Sequence, residues 1–255
     1  MNPGHLRPYS VGMGPNIRII HEDVDILVVD KPAGFLSIAD RYDPAAPTVL
    51  EELGRSLGEA KAKELLVVHR LDKDTSGILV FARNAEAHKA LSKAFESRGV
   101  AKVYHALVRG EPSWEEASCD YPLLADGDKL HRSIIDAGHG KPSVTDFRRL
   151  AVYGPYSLVE ARPRTGRTHQ IRVHLAALGY PIVADPLYGD GKALFLSSFK
   201  KKWRGDEYAE RPLLSRTALH ALSLELVHPR SGEALRYEAP YPKDFKAAVA
   251  QLGKR

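Results

Sequence analysis

Asp72 stands inside the run Val68-His69-Arg70-Leu71-Asp72-Lys73-Asp74-Thr75-Ser76-Gly77, where a carboxylate follows an arginine and precedes a Thr-Ser-Gly turn. A second dense block, Arg-Thr-Gly-Arg-Thr-His-Gln-Ile-Arg-Val-His, runs from Arg164 to His174. These residue types supply a carboxylate able to attack or to take a proton, cations to keep it ionised, and a surface suited to phosphate. A reactive aspartate must stay charged while partly desolvated; burial raises its pKa and a nearby guanidinium lowers it. Arginine serves this better than lysine, because its planar fork matches a carboxylate. An aspartate in such a run can equally be a turn or cap residue, as Asp74 two positions on illustrates. His169 and His174 invite a metal reading, but their spacing fits no Cys/His zinc pattern, so no metal is expected.

The elements that must position these groups are readable from apolar periodicity and turn residues. Strands are predicted at Ile17–His21 and Ile26–Val29, separated by Glu22-Asp23-Val24-Asp25 and followed by the break Lys31-Pro32-Ala33-Gly34. A helix is expected around Thr48–Leu57. Leu65–Val68 and Ile78–Phe81 are short branched runs that read as buried strands, which puts Asp72 in the loop between them. Asn84 is a good N-cap for a helix carrying Ala87, Ala90, Leu91, Ala94 and Phe95, with Gly99 closing it. Val103–Val108 reads as a strand and Leu123–Ile135 as a hairpin around Asp126-Gly127. Further strands are expected at Val144–Val152, Ser157–Ala161, Leu219–Val227 and Leu235–Glu238. Helices are expected at Thr168–Leu178 and Lys243–Leu252. Many strands, few helices and no regular βαβ alternation predict an α+β domain on a mixed, largely antiparallel sheet.

Residues 1–14, with Pro3, Gly4, Pro8, Gly12 and Gly14, read as a flexible arm, and residues 15–255 as one catalytic domain without a separate N-terminal RNA-binding domain. The composition, 44% hydrophobic and 27% charged, is that of an ordinary globular protein. Cys119 is the single cysteine, which rules out an internal disulfide and a cysteine-rich zinc site and fits a cytoplasmic setting. No apolar run approaches the roughly 18 residues of a membrane span, and the start has no signal-like apolar core. The net charge of +5 and pI near 9.2 permit a polyanionic partner. Distribution is more telling: no acid lies between Ala161 and Ala184, whereas Arg162, Arg164, Arg167 and Arg172 do. Lys200, Lys201, Lys202 and Arg204 flank Trp203 in a stretch, 190–212, that reads as a surface insertion near the site or simply a solvated face.

The two blocks, in this order, resemble the RluA-type family of RNA pseudouridine synthases, which isomerise uridine in structured RNA, and the resemblance runs from about Ile17 to Phe245. It implies the pseudouridine synthase fold with a central RNA-binding catalytic cleft, no cofactor, and tRNA or rRNA as partner; a monomer is the default. Asp72 occupies the position of the family's catalytic aspartate, as nucleophile or base, with attack at C1′, attack on the base, and a glycal route all open. Arg167, in Gly166-Arg167-Thr168-His169-Gln170, is the expected ion-pair partner, and Arg172 the alternative. Tyr104, in Lys102-Val103-Tyr104, matches a Lys-x-Tyr motif that supports the target base and assists loss of the C5 proton. Arg70 resembles the residue that enters the space left by a flipped base, a step that costs a few kcal/mol of unstacking. Thr75, His169 and Gln170 are candidate RNA contacts, the last two at a helix start whose free N–H groups attract phosphate. His220, in Ala218-Leu219-His220-Ala221, is a candidate cleft residue with a structural role as the alternative. Lys31-Pro32-Ala33-Gly34 matches the family's opening turn, but Ser37-Ile38-Ala39 replaces the Val-His-Pro often found after it, and Ser143 stands where relatives often carry Ala.

A non-catalytic RNA-binding or ribosome-assembly protein on the same fold is the competing reading; loss of Asp72, Arg167 or Tyr104 would have favoured it, and all are present. A glycosidase is disfavoured because it needs a second acid a few Å from the first, and the basic block offers none.

Overall fold

A computed structural model describes residues 17–39, 45–206 and 208–254, so the arm expected at 1–14 lies outside the described residues. The chain begins with an antiparallel pair, β1 (Arg18–Glu22) and β2 (Ile26–Lys31), followed by helices α1 (Val49–Leu57) and α2 (Glu59–Lys63). Thr48 and Glu51 close a reciprocal capping box that starts α1. Next come β3 (Leu66–Val67), β4 (Ser76–Ala82) and α3 (Ala85–Glu96), the last capped by Asn84, whose side chain accepts from Ala87 N. The second half holds β5 (Ala101–Arg109), β6 (Glu116–Cys119), the pair β7 (Leu123–Leu124) and β8 (Ile134–Ile135), β9 (Thr145–Val152), β10 (Tyr156–Pro163) and α4 (Gln170–Ala177). It ends with β11 (Leu219–Val227), β12 (Ala234–Glu238) and α5 (Lys243–Leu252).

Ten of these strands form one sheet in the order β1-β2-β4-β11-β5-β10-β9-β6, with β3 paired to β4 and β12 to β11. Every pairing in it is antiparallel except β4 with β11. This is the expected α+β architecture on a mixed, largely antiparallel sheet. β2 and β4 are apolar on both faces because both are covered: Leu27, Val29, Leu79 and Phe81 pack under α1 and α2, while Ile26, Val28, Ile78 and Val80 pack under α3. Around β5 and β10, Ile171 and Leu175 of α4 and Phe245, Ala248 and Leu252 of α5 complete the larger cluster.

The parallel contact rests on a glycine. Gly77 has φ of +114°, and a Cβ there would lie 2.1 Å from the carbonyl oxygen of Ala221. Only a residue without a side chain lets β11 approach β4 at the base of the Asp72 loop.

Several boundaries moved. The helix expected from Thr168 starts at Gln170, with His169 in the left-handed conformation as its N-cap. Gly99 follows the turn that ends α3, but the residue in the left-handed conformation is Arg98. The hairpin around Asp126-Gly127 keeps only two residues per strand. The 190–212 stretch is anchored by Leu194 and Phe199 in the large core. It also meets Arg109, near the far end of β5 from Tyr104. None of its described residues lines the cavity described below.

Candidate active site

The Asp72 loop leaves β3 and enters β4 through a tight turn closed by Thr75 N donating to Asp72 O. Each carbonyl from Leu71 to Thr75 has a partner. Ser37 Oγ donates to Leu71 O at 2.9 Å. Lys73 O accepts from Gly34 N and from Lys31 Nζ, both at 2.9 Å. Arg216 Nη1 donates to Asp74 O at 3.0 Å, and Lys31 Nζ to Thr75 O at 2.7 Å. Lys31 is fully buried; burial lowers its pKa to about 7, with Asp72 and Asp74 partly offsetting the effect. The Lys-Pro-x-Gly turn thus supplies a buried amine that fixes the backbone under Asp72.

Asp72 faces a cavity of about 400 Å³. Arg172 Nη1 donates to its Oδ2 at 3.2 Å. The same guanidinium donates through Nε and Nη2 to both oxygens of Asp185, at 2.7 and 2.9 Å, and lies 5.1 Å from the ring centre of Tyr188. Burial opposes the charge of Arg172, and the two carboxylates more than offset it, so its pKa is raised. For Asp185 burial works upward, but Arg172 and the N–H groups of Leu187 and Tyr188 prevail and its pKa is lowered.

The arginine that reaches Asp72 is therefore Arg172 and not Arg167. Arg167 Nε donates instead to Pro142 O at 3.2 Å on the cavity rim. The physical reason is the left-handed His169, φ +57°, which turns the chain between the two arginines and starts α4 with Arg172 directed inward, 6% exposed.

Tyr104 projects from β5 into the cavity; burial and the Asp72 charge both raise its pKa, so its phenol is neutral at ordinary pH. Arg70 is exposed at the rim, and its side chain has no hydrogen bond or ion pair with any described residue. Thr75 is buried in the cavity floor. His169 Nε2 lies 3.9 Å from Asp72 Oδ2, its Nδ1 shares a 2.9 Å hydrogen bond with Tyr188, and burial lowers its pKa despite Asp72.

Two expected RNA contacts are committed to the protein. Gln170 accepts from Thr165 Oγ1 and Arg167 N and donates to Val144 O and Thr145 Oγ1, so its amide is fully used in pinning the loop. His220 is wholly buried and absent from the cavity wall; its Nε2 donates to Ala239 O, its Nδ1 accepts from Ser76 Oγ, and burial lowers its pKa to about 4. It supports the floor from below, the structural alternative raised for it.

Lys31, Asp185, Tyr188 and Arg216 were not recognised as site residues from sequence. Asp185 had a signal: it is the first acid after the acid-free stretch that begins at Ala161. The described residues contain one group with metal-ligand spacing, Asp23, Asp25 and His228, away from the cavity. Arg230 and Asn84 occupy Asp25, and His21 and His228 occupy Asp23, so it reads as an ion-pair cluster.

The RNA pseudouridylate synthase family profile matches residues 25–177, a span that holds Asp72, Tyr104 and Arg172. The chain belongs to the RNA pseudouridylate synthase family. A ribosomal large subunit pseudouridine synthase D from Xanthomonas campestris pv. campestris is 38% identical over 249 residues, 97% of this chain and 72% of its own length. An uncharacterized RNA pseudouridine synthase from Chloroflexus aurantiacus is 40% identical over 89% of this chain, which spans 66% of that relative, just under two thirds. Among solved structures, human RNA pseudouridylate synthase domain containing 4 superposes with a TM-score of 0.70 at 27% identity, covering 92% of both chains. The pseudouridine synthase fold thus places the aspartate loop of one half-sheet against the tyrosine strand and arginine helix of the other.

Proposed function

We propose that this protein converts specific uridines of structured RNA, tRNA or rRNA, to pseudouridine, and that Asp72 carries the rearrangement. The observation that supports this most directly is the Asp72–Arg172 ion pair facing a cavity shared with Tyr104. In the reaction the N1–C1′ bond breaks, the base turns, C5 bonds to C1′, the C5 proton leaves, and N1 gains one. Atoms balance within the substrate, so the isomerisation calls for no redox partner. Asp72 is the nucleophile or base, and Arg172 holds its carboxylate by an ion pair at 3.2 Å. Tyr104 supports the base with its ring, and Arg70 fills the space from which the nucleotide is flipped. The protein acts as a monomer in the cytoplasm; among the described residues no helix is long and apolar enough to cross a membrane.

The alternative, an RNA-binding protein without catalysis, is opposed by the assembly of aspartate, arginine and tyrosine around one cavity. The test uses unmodified tRNA and ribosomal RNA tritiated at uridine C5. Wild type should release tritium and Asp72→Asn should not, with RNA affinity kept within about threefold, because phosphate contacts supply most of it. Equal release from both proteins would remove Asp72 from the chemistry, and release from neither would favour the binding protein.

A further inference from the structure

Six cations line the cavity: Arg70, Arg98, Lys102, Arg164, Arg167 and Arg172. Arg172 is committed to Asp72 and Asp185, Arg164 is forked onto Asp146 through Nε and Nη2, and Arg167 is bonded to Pro142 O. Arg70 has its own part in flipping. Arg98 and Lys102 remain, and the side chain of neither has a hydrogen bond or ion pair with any described residue. Arg98 lies in the turn between α3 and β5, Lys102 is the second residue of β5, and both line the cavity.

Both are held where a protein does not leave a cation without reason. Lys102 is half-buried, and desolvation alone accounts for its lowered pKa; no acid lies near enough to offset it. It shares a strand face with Tyr104 two residues along, about 7 Å away at the usual rise. Arg98 adopts φ of +64°, a conformation that costs a residue with a Cβ roughly 1 kcal/mol or more, although Gly99 comes immediately after it. Its exposed guanidinium sits at the rim beside Phe95 and Glu96. A partly desolvated, unpaired ammonium and an exposed guanidinium that line one cavity with the base platform have the makings of an anion seat.

Building on the isomerase reading, we propose that Arg98 and Lys102 form a seat for the RNA backbone phosphate next to the flipped uridine, holding the nucleotide's register while its base lies on Tyr104. The seat is separate from the Asp72–Arg172 pair and adds affinity and positioning, not a chemical step.

The glycine variant separates binding from folding. At φ +64° glycine is the favoured residue, so Arg98→Gly should leave Tm unchanged or raise it. Arg98→Gly, Lys102→Gln and Lys102→Arg are compared with wild type by binding to a fluorescent stem–loop RNA with uridines in its loop, over a series of salt concentrations. Each charge-removing variant should weaken binding about three- to tenfold and reduce the slope of log K against log salt by roughly 0.7 to 0.9, one phosphate's worth, while Lys102→Arg keeps the wild-type slope. In the tritium assay KM should rise more than kcat falls. Wild-type affinity and slope in both charge-removing variants would overturn the seat. So would a fall in kcat at constant KM, which would move Lys102 into the chemistry. Failure of wild type to release tritium would count against the isomerase reading alone, since the binding slopes decide the seat without turnover.

Discussion

Arg172 serves two carboxylates with one guanidinium: the fork goes to buried Asp185, and the remaining Nη1 to Asp72. Asp185 fixes the plane, so the third donor is aimed before substrate arrives, which is the preorganisation a charged site needs. Lysine cannot make all three bonds in that geometry. Arg172→Lys should therefore lower kcat by about 10²-fold or more, whereas Arg167→Lys, at a rim position bonded to a carbonyl, should stay within about threefold of wild type. Steady-state tritium release on both variants checks this, and the reverse ranking would return Arg167 to the role its motif suggested. Asp72 and Tyr104 were legible in the sequence because each sits in a compact motif. The ion-pair partner was not. Arg167 and Arg172 belong to the same block, and a left-handed histidine between them decides which one points inward; helical spacing carries no information across such a residue. His220 and Gln170 have the polarity of ligand contacts, but their hydrogen-bonding capacity is spent inside the protein.

The Asp72 loop is held from below by two basic side chains, Lys31 at the end of β2 and Arg216 just ahead of β11. Lys31 takes the carbonyls of Lys73 and Thr75. Arg216 takes that of Asp74 while forking onto Asp244, which ties the loop to the first turn of α5. Because the pKa of Lys31 falls on folding, the unfolded chain holds its proton over a range where the folded one has released it. Stability from this residue is thus least below pH 7 and grows as pH rises from about 7 towards the unfolded value near 10.5. The free energy of unfolding of wild type minus that of Lys31→Met should rise with pH in that window, with a slope approaching about 1.4 kcal/mol per pH unit. A flat difference in chemical denaturation would show that Lys31 keeps its ordinary pKa. Strands buried on both faces, such as β2 and β4, were legible from their apolar runs. α2 and β6 were missed because EAKAK is one polar turn and a half after Gly58, and EASC is a polar edge strand paired on one side only. Both take their structure from neighbours, a tertiary effect that local pattern does not record.

Asp72 and its partner Arg172 lie 100 residues apart, and the sheet that joins them is divided in an unusual way. β1, β2, β3 and β4 form one antiparallel block from the first third of the chain, and β5, β6, β9 and β10 another from the middle. Among the described residues their only ladder runs through β11, which pairs with β4 by a short parallel contact and with β5 by a longer antiparallel one. A chain ended at residue 215 should therefore keep its arginine block and its aspartate yet release no tritium from any RNA, and its two halves should unfold in separate transitions by calorimetry. A single cooperative transition would mean that helix and loop contacts alone can unite them. Blocks drawn from consecutive residues assemble early, whereas pairings between distant residues form late and slowly. During synthesis, then, the N-terminal block and the tyrosine-bearing block can each emerge complete while the cleft between them does not yet exist. The strand that closes it, β11, follows both blocks in the chain, so this protein acquires its active site only after each of them has already been made.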